Sequence, residues 1–367
     1  MSAEVYFVNM RAKHGNSLLQ KVEKLFFAAR MDECVTPNDL VALKVHFGEK
    51  GNTGYIRPQF IRKIVDKIKE RNAKPFITDG NTLYVGSRAN AVDHLQTAIE
   101  NGWDYSVVNA PLVISDGLTG KDFVNIEINQ KHFKDVKIGT AAFHADALFA
   151  ISHFKGHEAV SFGGAIKNIG MGFGCRSGKQ NMHSDVLPKV SSVKCISCKK
   201  CSKWCPTNAI SFPIDKATIN PDICIGCGEC VVTCPTHAIA INWKTEPDII
   251  QEKIAEYALG VLQNKKGKTA FMNFLMTITP DCDCFSWSDA PIVSDIGILA
   301  STDPVAIDQA SFDLVNEQIT LSNTRMEGKG QSKDKFMALH GISGEKQLEY
   351  AEKIGIGSRK YKLISLD

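Results

Sequence analysis

The sequence predicts an α/β fold, a mostly parallel sheet covered by helices, interrupted by a small α+β insertion rich in cysteine. Three observations carry this expectation. Strand-like and helix-like patterns alternate on both sides of residues 191–243, eight of the twelve cysteines fall inside that stretch, and the stretch repeats itself internally. The expected division is 1–190, 191–243 and 244–367, with the two outer parts forming one discontinuous domain. Two separate α/β domains are the alternative.

The elements follow in order. Val5–Asn9 is a short β-rich run, followed by a helical pattern from Ser17 to about Arg30. Leu40–Phe47 is a strongly apolar strand, and Pro58 suits the first turn of a helix reaching about Arg71. The alternation continues with a strand at Lys74–Thr78, a helix from Ser87 to Asn101 and a strand at Tyr105–Asn109. Phe123–Asn129 and His132–Ile138 read as a hairpin, and Ala147–Ser152 as a short buried strand. Beyond the insertion, Asp248–Gln263 reads as a helix, and Thr269–Thr277 and Pro291–Leu299 as strands. Asp303 is then a helix cap with Pro304 at the first helical position.

At 44% apolar and 23% charged, the 367 residues have the composition of an ordinary globular protein. No run reaches the roughly 18 residues that a membrane-crossing helix needs, so no membrane partner is expected. The opening Met1–Tyr6 lacks the basic and apolar segments of a secretion signal, so a cytoplasmic location is expected.

In a reducing compartment, cysteines in bulk point to metal or redox chemistry, and their spacing decides between them. Cys195, Cys198, Cys201 and Cys205-Pro206 form a C-x2-C-x2-C-x3-C-P run, and Cys224, Cys227, Cys230 and Cys234-Pro235 form a second. Three thiolates two residues apart let a tight loop wrap three corners of a cube of iron and sulfide. The fourth cysteine starts a helix that points away, so it ligates the cluster of the other half. The reading is a bacterial-type ferredoxin domain with two [4Fe–4S] clusters. Cluster one takes Cys195, Cys198, Cys201 and Cys234, and cluster two takes Cys224, Cys227, Cys230 and Cys205. Zinc sites use separated pairs and do not need this pattern twice.

Each cluster with four thiolates carries about −2 when oxidised, so the formal +3 becomes about −1 and gives no nucleic-acid signal. Lys194, Lys199, Lys200 and Lys203 surround the first run, either as a dock for an acidic redox partner or as a solvated face. Trp204 reads as packing over the cluster.

A second chemistry is suggested by His153-Phe-Lys155-Gly-His157-Glu158, which follows a buried-looking strand, and by the glycine-rich Gly163–Gly174 with Lys167 and Asn168. Ligands in open α/β sheets bind beyond the carboxyl ends of strands, and these residues suit a small anionic ligand or a metal. Equally, Gly163–Gly174 reads as a plain connector into the cysteine-rich stretch. Gly178-Lys179-Gln180 fails the phosphate-loop pattern, and Gly170, Gly172 and Gly174 fail the dinucleotide pattern. Lys44, His46 and Arg57 lie where a strand meets a loop, and Asp79 and Asn81 hold the same place after the next strand. Cys282 and Cys284, with Asp281 and Asp283, are a candidate third metal site or a redox pair, and Cys175 is a further candidate for it. Cys34 reads as a packing residue.

Taken together, Lys44–Arg57, His153–His157, Gly163–Gly174 and Asp303-Pro-Val-Ala-Ile-Asp308 resemble domain-of-unknown-function family 362, over most of the chain. The resemblance implies an iron–sulphur-centre protein with a ferredoxin module placed as here, and it supplies no settled reaction. The functional expectation is an electron-transfer protein of anaerobic redox metabolism, working with a redox partner protein. The alternative is a cluster-dependent reductase, an oxidoreductase whose candidate catalytic residues are His153, His157, Lys167, Lys44 and His46. A scaffold with structural clusters is the third reading.

Overall fold

The computed structural model describes residues 2–84, 86–183, 187–226, 228–240, 245–329 and 332–367. Cys227 and the closing residues 241–243 of the predicted insertion lie outside the described residues. Eight strands form one sheet. In chain order they are β1 (Ala3–Asn9), β2 (Leu40–Lys44), β3 (Lys74–Asp79), β4 (Leu112–Ile114), β5 (Ala147–His153), β6 (Thr269–Leu275), β7 (Gly297–Ser301) and β8 (Tyr361–Ser365). Across the sheet they run β8-β1-β7-β6-β5-β2-β3-β4. Strands from the two sides of the cysteine-rich stretch are direct neighbours: β5 pairs with β6, with Ala150 opposite Phe271.

The sheet is mostly parallel, and only β7 runs against its neighbours β1 and β6. The reversal has a local cause. Residues 276–296, which join β6 to β7, contain no helix, and a parallel return in the same sheet needs a crossover that is usually helical. The strand expected from Pro291 begins only at Gly297. Proline has no N–H for a ladder, and Val293 makes just an isolated bridge to Thr320.

The helices include α1 (Leu18–Ala28), α2 (Pro58–Glu70), α3 (Ala91–Glu100), α4 (Ala165–Phe173), α5 (Pro247–Leu262) and α6 (Pro304–Glu317). Ser17 and Gln20 form a capping box for α1, Pro58 opens α2, and Asn90 and Asp303 cap α3 and α6. Each face of the sheet carries its own apolar core. Ala147, Phe149 and Ile151 of β5 pack with α1, α2 and α3, while Leu148 and Ala150 pack with α4, α5 and α6. The period-two alternation of a doubly covered strand thus feeds both layers.

The strand expected at Tyr105–Asn109 is instead a helical turn, Tyr105–Val108, and the neighbouring strand is β4. The Asp104 side chain accepts from Ser106 N–H at 2.9 Å, and Asn109 closes the turn in the left-handed region at φ 58°. These caps override the β propensity of Tyr-Ser-Val-Val. The Gly163–Gly174 segment is no loop either: α4 covers most of it.

Within 189–240, Lys189–Val190 pairs with Ile239–Ala240, and Ile210–Ser211 with Thr218–Ile219, both antiparallel. Two short helices, Lys200–Lys203 and Glu229–Thr233, complete the stretch. The repeat extends to the backbone. Ser197, Lys199 and Asn208 of the first half have positive φ, as do the matching Gly226, Gly228 and His237 of the second. Left-handed backbone at Ser197 and Lys199 costs about 1 kcal/mol each, so the loop shape overrides local preference.

This stretch packs on the sheet body through Glu229, which is buried and accepts from Arg176 Nη1 at 2.7 Å. Lys121 approaches the other carboxylate oxygen at 3.5 Å. Trp204 is exposed and lies under the Lys121 ammonium at 5.3 Å. Replacing Arg176 with alanine leaves Glu229 buried without its main partner. A loss of about 3–5 kcal/mol is expected, read as a lower urea midpoint at unchanged slope.

Candidate functional site

The carboxyl ends of β2, β3 and β5 carry Lys44, Asp79 and His153, and all three open onto one cavity of about 470 Å³. The other expected residues join them there. His46 follows β2, Lys155 and His157 sit on a short hairpin after β5, and Lys167 projects from α4. Arg88, Lys179 and Cys284 complete the polar wall, and Leu83, Ile250 and Ile254 are among its apolar parts.

Charge in the wall is paired unevenly. Lys44 Nζ lies 2.9 Å from Asp79 Oδ1 and 2.8 Å from Asn168 Oδ1. Burial pushes the Lys44 ammonium down to about 8 against the pull of Asp79. Arg88 holds Glu49 at 3.1 Å and Asp79 at 3.5 Å. Lys155 Nζ lies 3.2 Å from Asp283. Lys167 and Lys179, by contrast, have no carboxylate partner among the described residues: Lys167 donates to Cys282 Sγ at 3.7 Å, and Lys179 to the carbonyls of Gly172 and Gly174.

The histidines divide by role. His153 Nδ1 donates to Asp283 Oδ2 at 2.9 Å, and its Nε2 donates to the main-chain oxygens of Met276 and Thr277 at 3.0 Å. With both nitrogens engaged, His153 fixes the 276–284 segment and is a positioning group. Burial would raise the Asp283 carboxyl, but His153 and Lys155 hold it far below the ordinary range. His157 Nδ1 accepts from Ala159 N–H at 3.1 Å, which places its proton on Nε2 as a donor.

Burial, with Lys167 nearby, pushes His157 down to about 4. The sign follows. His157 is neutral in the fold, so its contribution is full above an unfolded value of about 6.5 and is lost as pH falls toward 4. Up to about 3 kcal/mol of stability should disappear across that window in urea titrations, and His157→Gln should flatten this part of the profile.

Cys282 and Cys284 meet His46 here, and their ligand atoms all lie within 4.8 Å of one another. His46 Nε2 is 3.3 Å from Cys284 Sγ, and Arg88 Nη1 is 3.2 Å from the same nitrogen. Gly48 N–H donates to His46 Nδ1 at 3.0 Å, while Nε2 stands between the Cys284 sulfur and the Arg88 guanidinium, which can only donate. Metal ligation through Nε2 of a neutral ring would need a proton on Nδ1, where the amide stands, and would bring the cation against Arg88. The Cys284 thiol, Lys167 and Lys155 draw Cys282 down to about 6 in spite of burial. Cys175 is apart from this group, buried against Ser177 at 3.3 Å. Cys34 lies in the apolar core under α1, where burial pushes its thiol up to about 11.

The glycines of α4 are packing requirements. A Cβ at Gly172 would lie 2.4 Å from Lys44 Cε, and one at Gly170 would lie 2.3 Å from Ile254 O. A Cβ at Gly164 would lie 2.3 Å from Asp308 Oδ1. Asp308 caps α4 from α6: its two oxygens accept from Ala165 N–H at 2.7 Å and Ile166 N–H at 2.9 Å. Arg88 escaped the sequence reading, which put it in the first turn of a helix from Ser87; that helix begins only at Ala91, capped by Asn90, and Arg88 stands in the irregular chain before it.

The inserted cysteines line two further small cavities. Cys195, Cys198, Cys201 and Cys234 surround one, and Cys205, Cys224 and Cys230 surround the other. Main-chain N–H groups donate to these sulfurs: Ala209 to Cys205 and Ala238 to Cys234, both at 3.2 Å, and Ala217 to Cys195 at 3.5 Å. Converging soft sulfur donors, three of them supported by an amide, fit a cluster of iron and sulfide.

Fold and site together define an α/β protein with a lysine- and thiol-walled cavity at its strand ends and a duplicated cysteine unit packed beside it. Residues 41–313 match the family model described as "Domain of unknown function (DUF362)", and the chain belongs to that family. No curated protein matches it. Among solved structures it is similar to the lactate racemase apoprotein of Thermoanaerobacterium thermosaccharolyticum, at 16% identity and a TM-score of 0.37, over 75% of this chain and 51% of that one. A Thermotoga maritima protein is similar at 10% identity and a TM-score of 0.35, over 70% of this chain and 49% of that one. The chain thus spans about half the length of each, and neither protein's activity is carried over to it. No helix among the described residues is long and apolar enough to cross a membrane.

Proposed function

We propose that this chain is an iron–sulphur electron-transfer protein binding two [4Fe–4S] clusters in a ferredoxin-type unit at 191–243, inserted in an α/β domain made of 1–190 and 244–367. The observation that carries the reading is the crossed lining of the two small cavities, where Cys234 sits with Cys195, Cys198 and Cys201, and Cys205 with Cys224 and Cys230. Such clusters supply one-electron transfer when bound. The protein holds them with eight thiolates and with the amides of Ala209, Ala217 and Ala238. Cys198 and Lys194, Lys199, Lys200 and Lys203 are exposed, which suits a face toward an acidic redox partner in the cytoplasm of an anaerobe. Iron and sulfide are counted on protein prepared without oxygen, followed by a reductive titration. About eight of each, reduced reversibly, is the expected result, and clusters that never change oxidation state would leave only the scaffold reading.

A second reading, a cluster-dependent reductase, is favoured by one contact. Leu83 lines the large cavity and also packs over the second cysteine loop, where a Cβ at Gly228 would meet it at 2.7 Å. One side chain thus separates that loop from the cavity. In this reading Lys167 and Lys179 attract a small anionic substrate, and His157 presents its Nε2–H to it.

A further inference from the structure

The geometry points to Cys282 and Cys284 as a thiol pair that reduces a small anionic disulfide held in the cavity. The two sulfurs lie within 4.8 Å of each other on one short turn, in which Phe285 N–H donates to Cys282 O at 3.1 Å. Each has a nitrogen beside it: His46 Nε2 lies 3.3 Å from Cys284 Sγ, and Lys167 Nζ donates to Cys282 Sγ at 3.7 Å. An imidazole beside a thiol can take its proton, and an ammonium beside a sulfur stabilises the thiolate, the nucleophilic form. Their exposures differ in the sense that exchange requires. Cys284 is part of the cavity wall, while Cys282 is 1% exposed and stands behind it. The anionic preference follows from Lys167 and Lys179, the two wall lysines without a carboxylate partner among the described residues.

The chemistry balances without an outside reagent. Cys284 Sγ attacks the substrate S–S bond, forming a mixed disulfide and expelling one thiolate. Cys282 Sγ then attacks Cys284 Sγ, closing the Cys282–Cys284 disulfide and expelling the second. Two cysteine thiols are oxidised, one substrate disulfide becomes two thiols, and the two cysteine protons pass to the products. Returning the pair to dithiols takes two electrons and two protons. For that return alone the inference rests on the reductase reading, with the inserted unit as the one-electron donor.

The exchange itself needs no cluster, so it is tested separately. Protein prepared without oxygen and freed of reductant is mixed with glutathione disulfide or with cystamine, an anionic and a cationic disulfide. Iron is counted on the same sample, which keeps a failure of cluster binding distinct from a failure of exchange. Glutathione disulfide should release two thiols per chain and leave the peptide holding Cys282 and Cys284 lighter by two hydrogens in mass spectrometry. Cystamine should react at least about tenfold more slowly, and Lys167→Gln should remove that preference. Cys282→Ser should stop after one thiol, with glutathione left on Cys284. Absence of exchange at this peptide, equal rates with both disulfides, or exchange only after a chelator has stripped a metal would each overturn the inference.

Discussion

Replacing Cys234 with serine should remove the cluster of the first half, whose triplet begins 39 positions earlier at Cys195, and spare the one beside it in sequence. Replacing Cys205 should remove the other. Each variant is expected to keep about four irons of eight, because one missing corner leaves a cube on three thiolates. Identity of the lost cluster is the informative readout. In the Cys234 variant, Cys195, Cys198 and Cys201 should become open to alkylation while Cys224 and Cys230 stay protected. The reverse pattern would mean that each run of four builds its own cluster. The crossed lining of the two small cavities would then have no part in ligation.

The second large effect concerns Asp308, which lies 143 and 142 positions from the two amides it caps. Asp308→Ala leaves the N–H groups of Ala165 and Ile166 without an acceptor in the core and takes from the Asn273 side chain its contact at 2.8 Å, leaving that amide only Ser311 Oγ at 3.0 Å. At about 1–3 kcal/mol for each orphaned donor, partly relieved by repacking, a loss of about 3–5 kcal/mol is expected in urea unfolding. Gly164→Ala should fail by the converse route, since its Cβ needs the space of the carboxylate. Burial pushes the Asp308 carboxyl up to about 6 against the pull of these donors. A carboxyl raised in the fold contributes fully below an unfolded value of about 3.9, and that part is lost as pH rises through 6. Asp308→Asn keeps one acceptor, so it should cost less than alanine, and it should remove this fall in stability between pH 4 and 6 while leaving the opposite slope of His157.

The legible parts of this protein were those written locally. Ser17 with Gln20, Pro58 and Asp303-Pro304 mark their helices by short-range signals, and the buried run Ala147–His153 announces a doubly covered strand. The cysteine spacing likewise marks both thiol-lined cavities before any coordinates. What was hidden depends on distant partners. Gly163–Gly174 looks like a loop because four of its glycines are explained only by Asp308, Lys44 and Ile254, none nearby in sequence, and by Tyr257 beside Gly174. His153 looks like an acid–base group until Asp283 and two carbonyls occupy it. Lys179 sits in a failed nucleotide motif and still reaches the cavity, because the helix Arg176–His183 turns it inward.

Lys189–Val190 pairs antiparallel with Ile239–Ala240. Entry and exit of the cysteine-rich stretch leave side by side, so a short hairpin turn could stand in place of everything between them. The sheet, joined through β5 and β6, needs nothing from the insertion for its strand order. Removing the residues between the two paired segments is therefore expected to leave the strand order unchanged. The contacts of Glu229 with Arg176 and Lys121, of Trp204 with Lys121 and of Gly228 with Leu83 would be lost with them.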